Sequence, residues 1–256
     1  MPIGTSRLVV AFGVLAWAGS PAAGAPALKE RTAENGDPDL RALHALIRKA
    51  VEDGKAISAS DEQRLDDTTR ALLKRAAQAA DIKQRDVPVK RDGLTKSEVT
   101  KAFRQTSVRG ALVVGGEVRG TGARDSILLA AGEVHFTSIE NCLVVGKTVR
   151  FTGARNCVII AEEFVRGTGV GRGKEEPDGS IIVSGRWIRL TSATDVVCHV
   201  LQPGKDPAPD EREGLALPPI RMTSARNVRF LNKPDDVGTT SRTDSQCLEL
   251  KRPLAK

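Results

Sequence analysis

A chain of 256 residues carrying a net charge of +7 holds one or two domains and favours anionic partners without naming one. With no tyrosine, six phenylalanines and two tryptophans, its core must be aliphatic. Its four cysteines form no Cys-x-x-Cys pair, and His44, His135 and His199 are scattered, so no metal site is expected.

The chain opens with Arg7 as a positive n-region, Leu8 to Gly19 as an apolar h-region, and Ala22 to Ala25 as a small-residue cleavage zone. Residues 1–25 therefore have the form of a secretory signal peptide, too short for a membrane span, and imply an extracytoplasmic protein. No cysteine follows for a lipid anchor, and no later stretch is long enough to cross a membrane. Residues 26–36 read as a polar linker. Residues 37–102 read as a helical hairpin. Asp37-Pro38 starts its first helix, Leu40, Leu43, Ile47 and Ala50 share a face, and Gly54 ends it. Ser60 and Gln63 fit a capping box for the second helix, which runs through Leu65, Leu72 and Ala76 to about Lys83. Thr95 to Glu98 is expected to cap one more short helix. The helices' charged residues read as solvated faces.

From residue 103 to 232 one pattern recurs seven times, aligned on Thr106, Thr121, Thr137, Thr152, Thr168, Thr191 and Thr223. The steps are 15, 16, 15, 16, 23 and 32 residues, a repeat with two insertions. Each copy holds two short β-branched runs around a turn, as in VRFTGARNCVIIA, and none is long enough to be a helix. About 15 residues at roughly 3.3 Å each make a loop of about 50 Å, one flattened coil of a solenoid. Three residues before each threonine runs an apolar column, Phe103, Val118, Val134, Val149, Val165, Ile188 and Ile220. Two before it run Arg104, Arg119, His135, Arg150, Arg166, Arg189 and Arg221. Alternation along a strand puts the arginines and threonines outside and the valines inside. Asp125, Asn141, Asn156, Asp195 and Asn227 form a turn column, because Asn and Asp tolerate left-handed backbone. The second run of each coil is apolar at three successive positions, as at Leu143, Val144 and Val145, so both its faces need cover. The helical hairpin, placed across the first coil or along this strand, is one candidate cover. Residues 233–256 read as a polar tail.

The stacked apolar columns and the asparagine ladder resemble the parallel β-helix superfamily, the pectin-lyase-like and related solenoids. The resemblance is one of fold, since these coils are shorter than that superfamily's usual coil and no catalytic motif of its enzymes is matched. The fold class expected is mainly β, a single-stranded parallel β-solenoid of about seven 15–16-residue coils with an N-terminal helical cap. By the same resemblance, a carbohydrate-active lyase or hydrolase is the alternative to a non-enzymatic structural or binding module.

A regular row of guanidinium groups suits a linear polyanion, because arginine presents a planar fork to carboxylate or phosphate. The bland reading is a solvated face whose arginine stems shield the interior. Export favours an acidic polysaccharide or an envelope protein as partner, and nucleic acid is disfavoured because no aromatics are interleaved for stacking. Cys142 and Cys157 share a column one coil apart, within the Cα range for a disulfide. In-register parallel side chains leave the Cβ atoms slightly too far apart, so a buried thiol pair is the first reading and a disulfide the second. Cys198 occupies an interior column, and Cys247 lies in a tail that reaches back toward it. No cofactor motif, nucleophile or converging carboxylates are found; Asp125 and Asp195 read as structural turn residues. Gly167 to Gly173 lacks the lysine and hydroxyl of a phosphate loop.

Overall fold

The structure, a computed structural model, describes residues 37–55, 57–79, 88–89, 91–171, 179–203 and 217–248. The expected leader and linker lie outside these residues. So do the acidic insertion at 172–178, residues 204–216 of the proline-rich excursion, the end of the second helix and residues 249–256. Among the described residues no helix is long and apolar enough to cross a membrane.

Two helices precede the strands. α1 (Pro38–Asp53) is capped by Asp37, whose side chain accepts from the amides of Asp39 and Leu40 at 3.0 and 3.3 Å. It ends at Gly54 with a left-handed φ of 60°. α2 (Ala59–Ala79) starts earlier than its capping-box sequence indicates. Ser58 Oγ accepts from the Asp61 amide at 3.1 Å, and Gln63 instead donates along the helix to Asp67 at 2.9 Å. The third short helix expected at Thr95 to Glu98 is absent. A 3-10 turn, Arg91–Gly93, leads directly into strand.

The strands are β1 (Lys96–Arg109), β2 (Ala111–Arg124), β3 (Ile127–Ala130), β4 (Glu133–Glu140), β5 (Leu143–Arg155) and β6 (Val158–Gly171). They continue as β7 (Ser180–Ser184), β8 (Trp187–Val200), β9 (Ile220–Phe230), β10 (Val237–Thr243) and β11 (Gln246–Cys247). Every pairing is parallel, and the chain forms a β-solenoid of about eight turns. That exceeds the seven expected, because residues read as polar tail add one. Val237 pairs with Ile220 and Cys247 with Phe230. At the other end the stack begins at Lys96, where Ser97, Glu98 and Val99 pair with Leu112, Val113 and Val114. Both terminal stretches carry polar residues in columns that are apolar elsewhere, which hides them from a search for hydrophobic periodicity.

The turn column is what aligns the coils. Asp125, Asn141, Asn156, Asp195, Asn227 and Asp244 have φ between 49° and 54°. Asn141 Nδ2 donates to Asp125 Oδ1 at 3.1 Å, Asn156 Nδ2 to Asn141 Oδ1 at 2.7 Å, and Asn227 Nδ2 to Asp195 Oδ1 at 2.6 Å. A carboxylate can only accept, so an aspartate below sets the direction of the amides stacked above it.

Inside, the column from Phe103 to Ile220 is buried throughout. The position just before the threonine varies in size from turn to turn, from Gly120 and Gly167 to Phe136 and Phe151. A Cβ added at Gly120 would run into the Phe136 ring, and one at Gly167 into the Phe151 ring. Gly120 pairs with Phe136, Phe136 with Phe151 and Phe151 with Gly167, so two large rings lie between two absent side chains.

In the inner coils the second strand is covered on both faces. Val113, Leu128, Val144 and Ile159 point into the coil. Leu112, Val114, Ile127, Leu129, Leu143 and Val145 point the other way and pack with Leu40, Leu43, Ile47, Leu65 and Leu72 of the helices. The hairpin therefore lies along this strand face. Each such side chain, fully buried, contributes about 1.5–3 kcal/mol. Two histidines are caught under the helices. His44 Nδ1 of α1 lies 3.0 Å from Glu162 Oε2 of β6, and burial lowers its pKa while Glu162 opposes the shift. His199 of β8 is 8% exposed, and burial pushes its pKa down to about 4, assisted by Arg75 and opposed by Asp37.

Because the folded chain binds a proton at His199 far more weakly than the unfolded chain, stability held above about pH 6.5 is lost as the pH falls toward 4. The loss attributable to this group is on the order of a few kcal/mol. Denaturant titrations of wild type and His199→Leu should diverge over this window, with the variant the flatter of the two; parallel curves would rule the effect out.

The ends of the stack are marked by charge. Glu98 pairs with Val113 at the foot of an interior column. Arg242 pairs with Ala225 at the head of another, and its guanidinium lies 5.2 Å over the Phe230 ring. Inward-column charge on an edge strand discourages pairing with another chain. The double variant Glu98→Val, Arg242→Ala should form larger species by light scattering than the unsubstituted protein at equal concentration. An unchanged mass would show that these charges do not protect the edges.

Candidate functional site

The arginine column is one continuous row. Arg104 pairs with Arg119, Arg119 with His135, His135 with Arg150, Arg150 with Arg166, Arg166 with Arg189 and Arg189 with Arg221. The seven aligned threonines beside it are all exposed. All seven residues expected on this face are thus brought together, with backbones about 4.8 Å apart from turn to turn.

Their surroundings differ along the row. Glu133 sits between two arginines, its Oε2 2.9 Å from Arg119 Nη2 and its Oε1 2.9 Å from Arg150 Nε. Glu117 Oε2 lies a further 3.3 Å from Arg119 Nη2. The middle of the row is thereby largely neutralised, by two of the three glutamates, Glu117, Glu133 and Glu163, that the sequence places beside some of the coils as able to relieve the like-charge row. Four residues before their threonines, Glu117, Glu133, Thr148, Phe164 and Trp187 form a column of their own, and that offset is the signal by which these pairs were available. Phe164 and Trp187 stack with ring centroids 4.2 Å apart and planes within 3°. Arg150 lies 5.5 Å over Phe164 and Arg189 5.0 Å over Trp187, which holds these guanidiniums against the surface.

Toward the C-terminal end the row continues through Arg166, Arg189 and Arg221. Arg166 and Arg221 are exposed and make no ion pair among the described residues. Here the face is hollowed into a cavity of about 490 Å³ whose lining includes Arg166, Arg189, Arg221, Thr191, Thr223 and Thr240. Leu217 and Pro218, leaving the excursion, form a wall. In the next turn the arginine position is taken by Gly238, paired with Arg221, where a Cβ would come within 2.7 Å of Pro218 Cγ.

All four cysteines carry free thiols in this structure. Cys142 and Cys157 are buried in neighbouring turns, and each thiol donates to the carbonyl two residues back, Glu140 at 3.1 Å and Arg155 at 3.0 Å. Ser126 does the same to Arg124, so the thiols fill a local role that serine fills elsewhere in the column. Burial pushes the Cys142 thiol up to about 12, which makes it a poor nucleophile. Cys198 and Cys247 share a column, but Phe230 stands between them, so the expected reach of Cys247 back to Cys198 does not occur.

Compared with protein-family models, curated proteins and solved structures, the chain matches none.

Glu133 is the residue on which the neutral middle of the row depends. Glu133→Gln should alter stability by less than about 1 kcal/mol, because its partners are partly exposed. It should also raise the salt concentration needed to elute the protein from a sulfonated resin. Elution at the wild-type position would mean that Arg119 and Arg150 are not held by this carboxylate in solution.

Proposed function

We propose that the protein is an exported, non-enzymatic structural or binding module whose Arg/Thr face engages an acidic polymer or an acidic protein of the cell envelope. The observation that carries this reading is the in-register arginine row, in which Arg166 and Arg221 make no ion pair among the described residues while the threonines beside them are exposed. Evenly stepped guanidiniums on a rigid sheet meet a repeating anion without the ordering cost that flexible side chains on loops would add. The leader-like sequence of residues 1–25 supports export. Kinship with the pectin-lyase-like solenoids is supported by parallel stacking and the asparagine ladder, and enzymatic action on a polysaccharide would follow from that kinship alone. Glycoside hydrolysis needs two carboxyl groups flanking the bond to be broken. On this face Glu117 and Glu133 are instead engaged by arginine.

Affinity for polygalacturonate, measured over a range of salt, tests the reading. Wild type should bind at low salt and weaken steeply as salt rises, each neutralised arginine adding to the slope as it does for nucleic acid. Arg166→Gln with Arg221→Gln should lower low-salt affinity by about tenfold and flatten the slope, whereas Arg119→Gln with Arg150→Gln should do less. Failure of the wild-type protein to bind this or any other acidic polymer at low salt would leave the row as a solvated surface.

A further inference from the structure

The arginine row alternates in character from turn to turn. Arg104, His135, Arg166 and Arg221 stand in the first, third, fifth and seventh turns, are exposed, and make no ion pair among the described residues. His135 adds charge only when protonated. The residues between them are engaged from within the face. Arg119 is held by Glu117 and Glu133, Arg150 by Glu133 and the Phe164 ring, and Arg189 lies against Trp187. In the turn after Arg221 the place is taken by Gly238. The cations that a ligand meets first therefore recur at every second turn, about 10 Å apart. We infer that this face recognises an alternating anionic glycan, one whose charge falls on every second sugar. The inference rests on the anion-binding reading of the face and specifies the polymer.

An extended chain of pyranose rings advances by close to one turn step per ring, so a disaccharide repeat matches two turns. An extended acidic protein segment does not, because side chains on one face of a strand recur about every 7 Å. A glycan charged at every sugar would bring its additional anions to Arg119 and Arg150, where Glu117 and Glu133 already stand. Like charge opposes those anions, and an uncharged ring at the same place meets no such opposition. Threonine keeps a different period. From Thr106 to Thr223 it recurs at every turn, exposed, with a hydroxyl that both donates and accepts. Each ring thus finds a hydroxyl and each second ring a guanidinium. At the C-terminal end the cavity of about 490 Å³ is lined by Arg166 and Arg221 and also by Arg189, Leu217 and Pro218. It has room for the uncharged ring between two charged ones.

Calorimetry on the full chain at low salt tests the alternation, with hyaluronate and galacturonate oligosaccharides of equal length as separate probes. Hyaluronate carries a carboxylate on every second sugar, and the galacturonate oligomer carries one on every sugar. The two should bind within about threefold of each other and with similar salt slopes, although one has twice the charge. Arg104→Gln, Arg166→Gln and Arg221→Gln should each weaken hyaluronate by about three- to tenfold, and Arg119→Gln or Arg150→Gln by about twofold at most. Glu133→Gln releases both of the arginines it holds. It should tighten the galacturonate oligomer by about threefold or more and leave hyaluronate within about twofold of wild type. Galacturonate binding about tenfold tighter than hyaluronate to the wild-type protein, or equal losses at all of these arginines, would overturn the alternation while the anion-binding face stands. If neither oligosaccharide binds, both readings fall together.

Discussion

A left-handed backbone turn held by asparagine and aspartate decides where everything else in this solenoid stands. At φ near 50° an ordinary side chain is strained, and Asn or Asp is not. At Asn141, Asn156 and Asn227 the amide then reaches to the turn below, so these coils are located against their neighbours by a specific hydrogen bond rather than by packing alone. A slip of one residue in a strand exchanges its two faces. It would carry the valines outward and the arginines into an aliphatic core with nothing to pair them. The exposed row, the buried column and the helix-covered strand are three consequences of one register.

That register also explains why identical repeats acquire unlike properties. Arg119 and Arg166 occupy equivalent positions in their coils, yet one is gripped by two glutamates and the other is unpaired among the described residues. The difference lies a single position upstream of the preceding valine, where glutamate gives way to threonine and then to aromatic rings. A column of cations on adjacent strands is costly by a few tenths of a kcal/mol or more for each pair. The chain offsets that cost by carboxylates in the middle of the row and by ring contacts farther on, while Arg166 and Arg221 make no ion pair among the described residues.

How much could be read from the chain depended on whether a residue repeated. Val118, Arg119, Thr121 and Asp125 announce themselves because their counterparts recur at nearly constant steps, and the solenoid, its faces and its turn ladder follow from them. Lys96 to Thr100 and Val237 to Thr243 belong to the same stack but lack the apolar signature, since end strands carry polar residues where inner ones carry valine or leucine. The second helix is capped from Ser58 and not from Ser60, because the capping-box pattern at Ser60 does not register a serine two residues earlier. The contact of Glu133 with both Arg119 and Arg150 is diagonal between turns and needs rotamers as well as register. The cavity owes one wall to Leu217 and Pro218, which come from an insertion outside any repeat.

The sequence Gly120, Phe136, Phe151, Gly167 up one interior column gives the coils an order as well as a likeness. A solenoid invites growth by copying a coil and inserting it beside its parent, since the strands would pair equally well anywhere in the stack. Here a copied phenylalanine coil set next to Gly120 or Gly167 would keep the contact, but a copied glycine coil would leave a void beside it. Moving Arg189's coil, with Leu190 in that position, next to Phe151 would set a branched side chain against a ring that now faces bare backbone. Each turn thus carries an address written in side-chain volume, and the lineage of this protein cannot add, lose or reorder its middle turns without a second change in the neighbour.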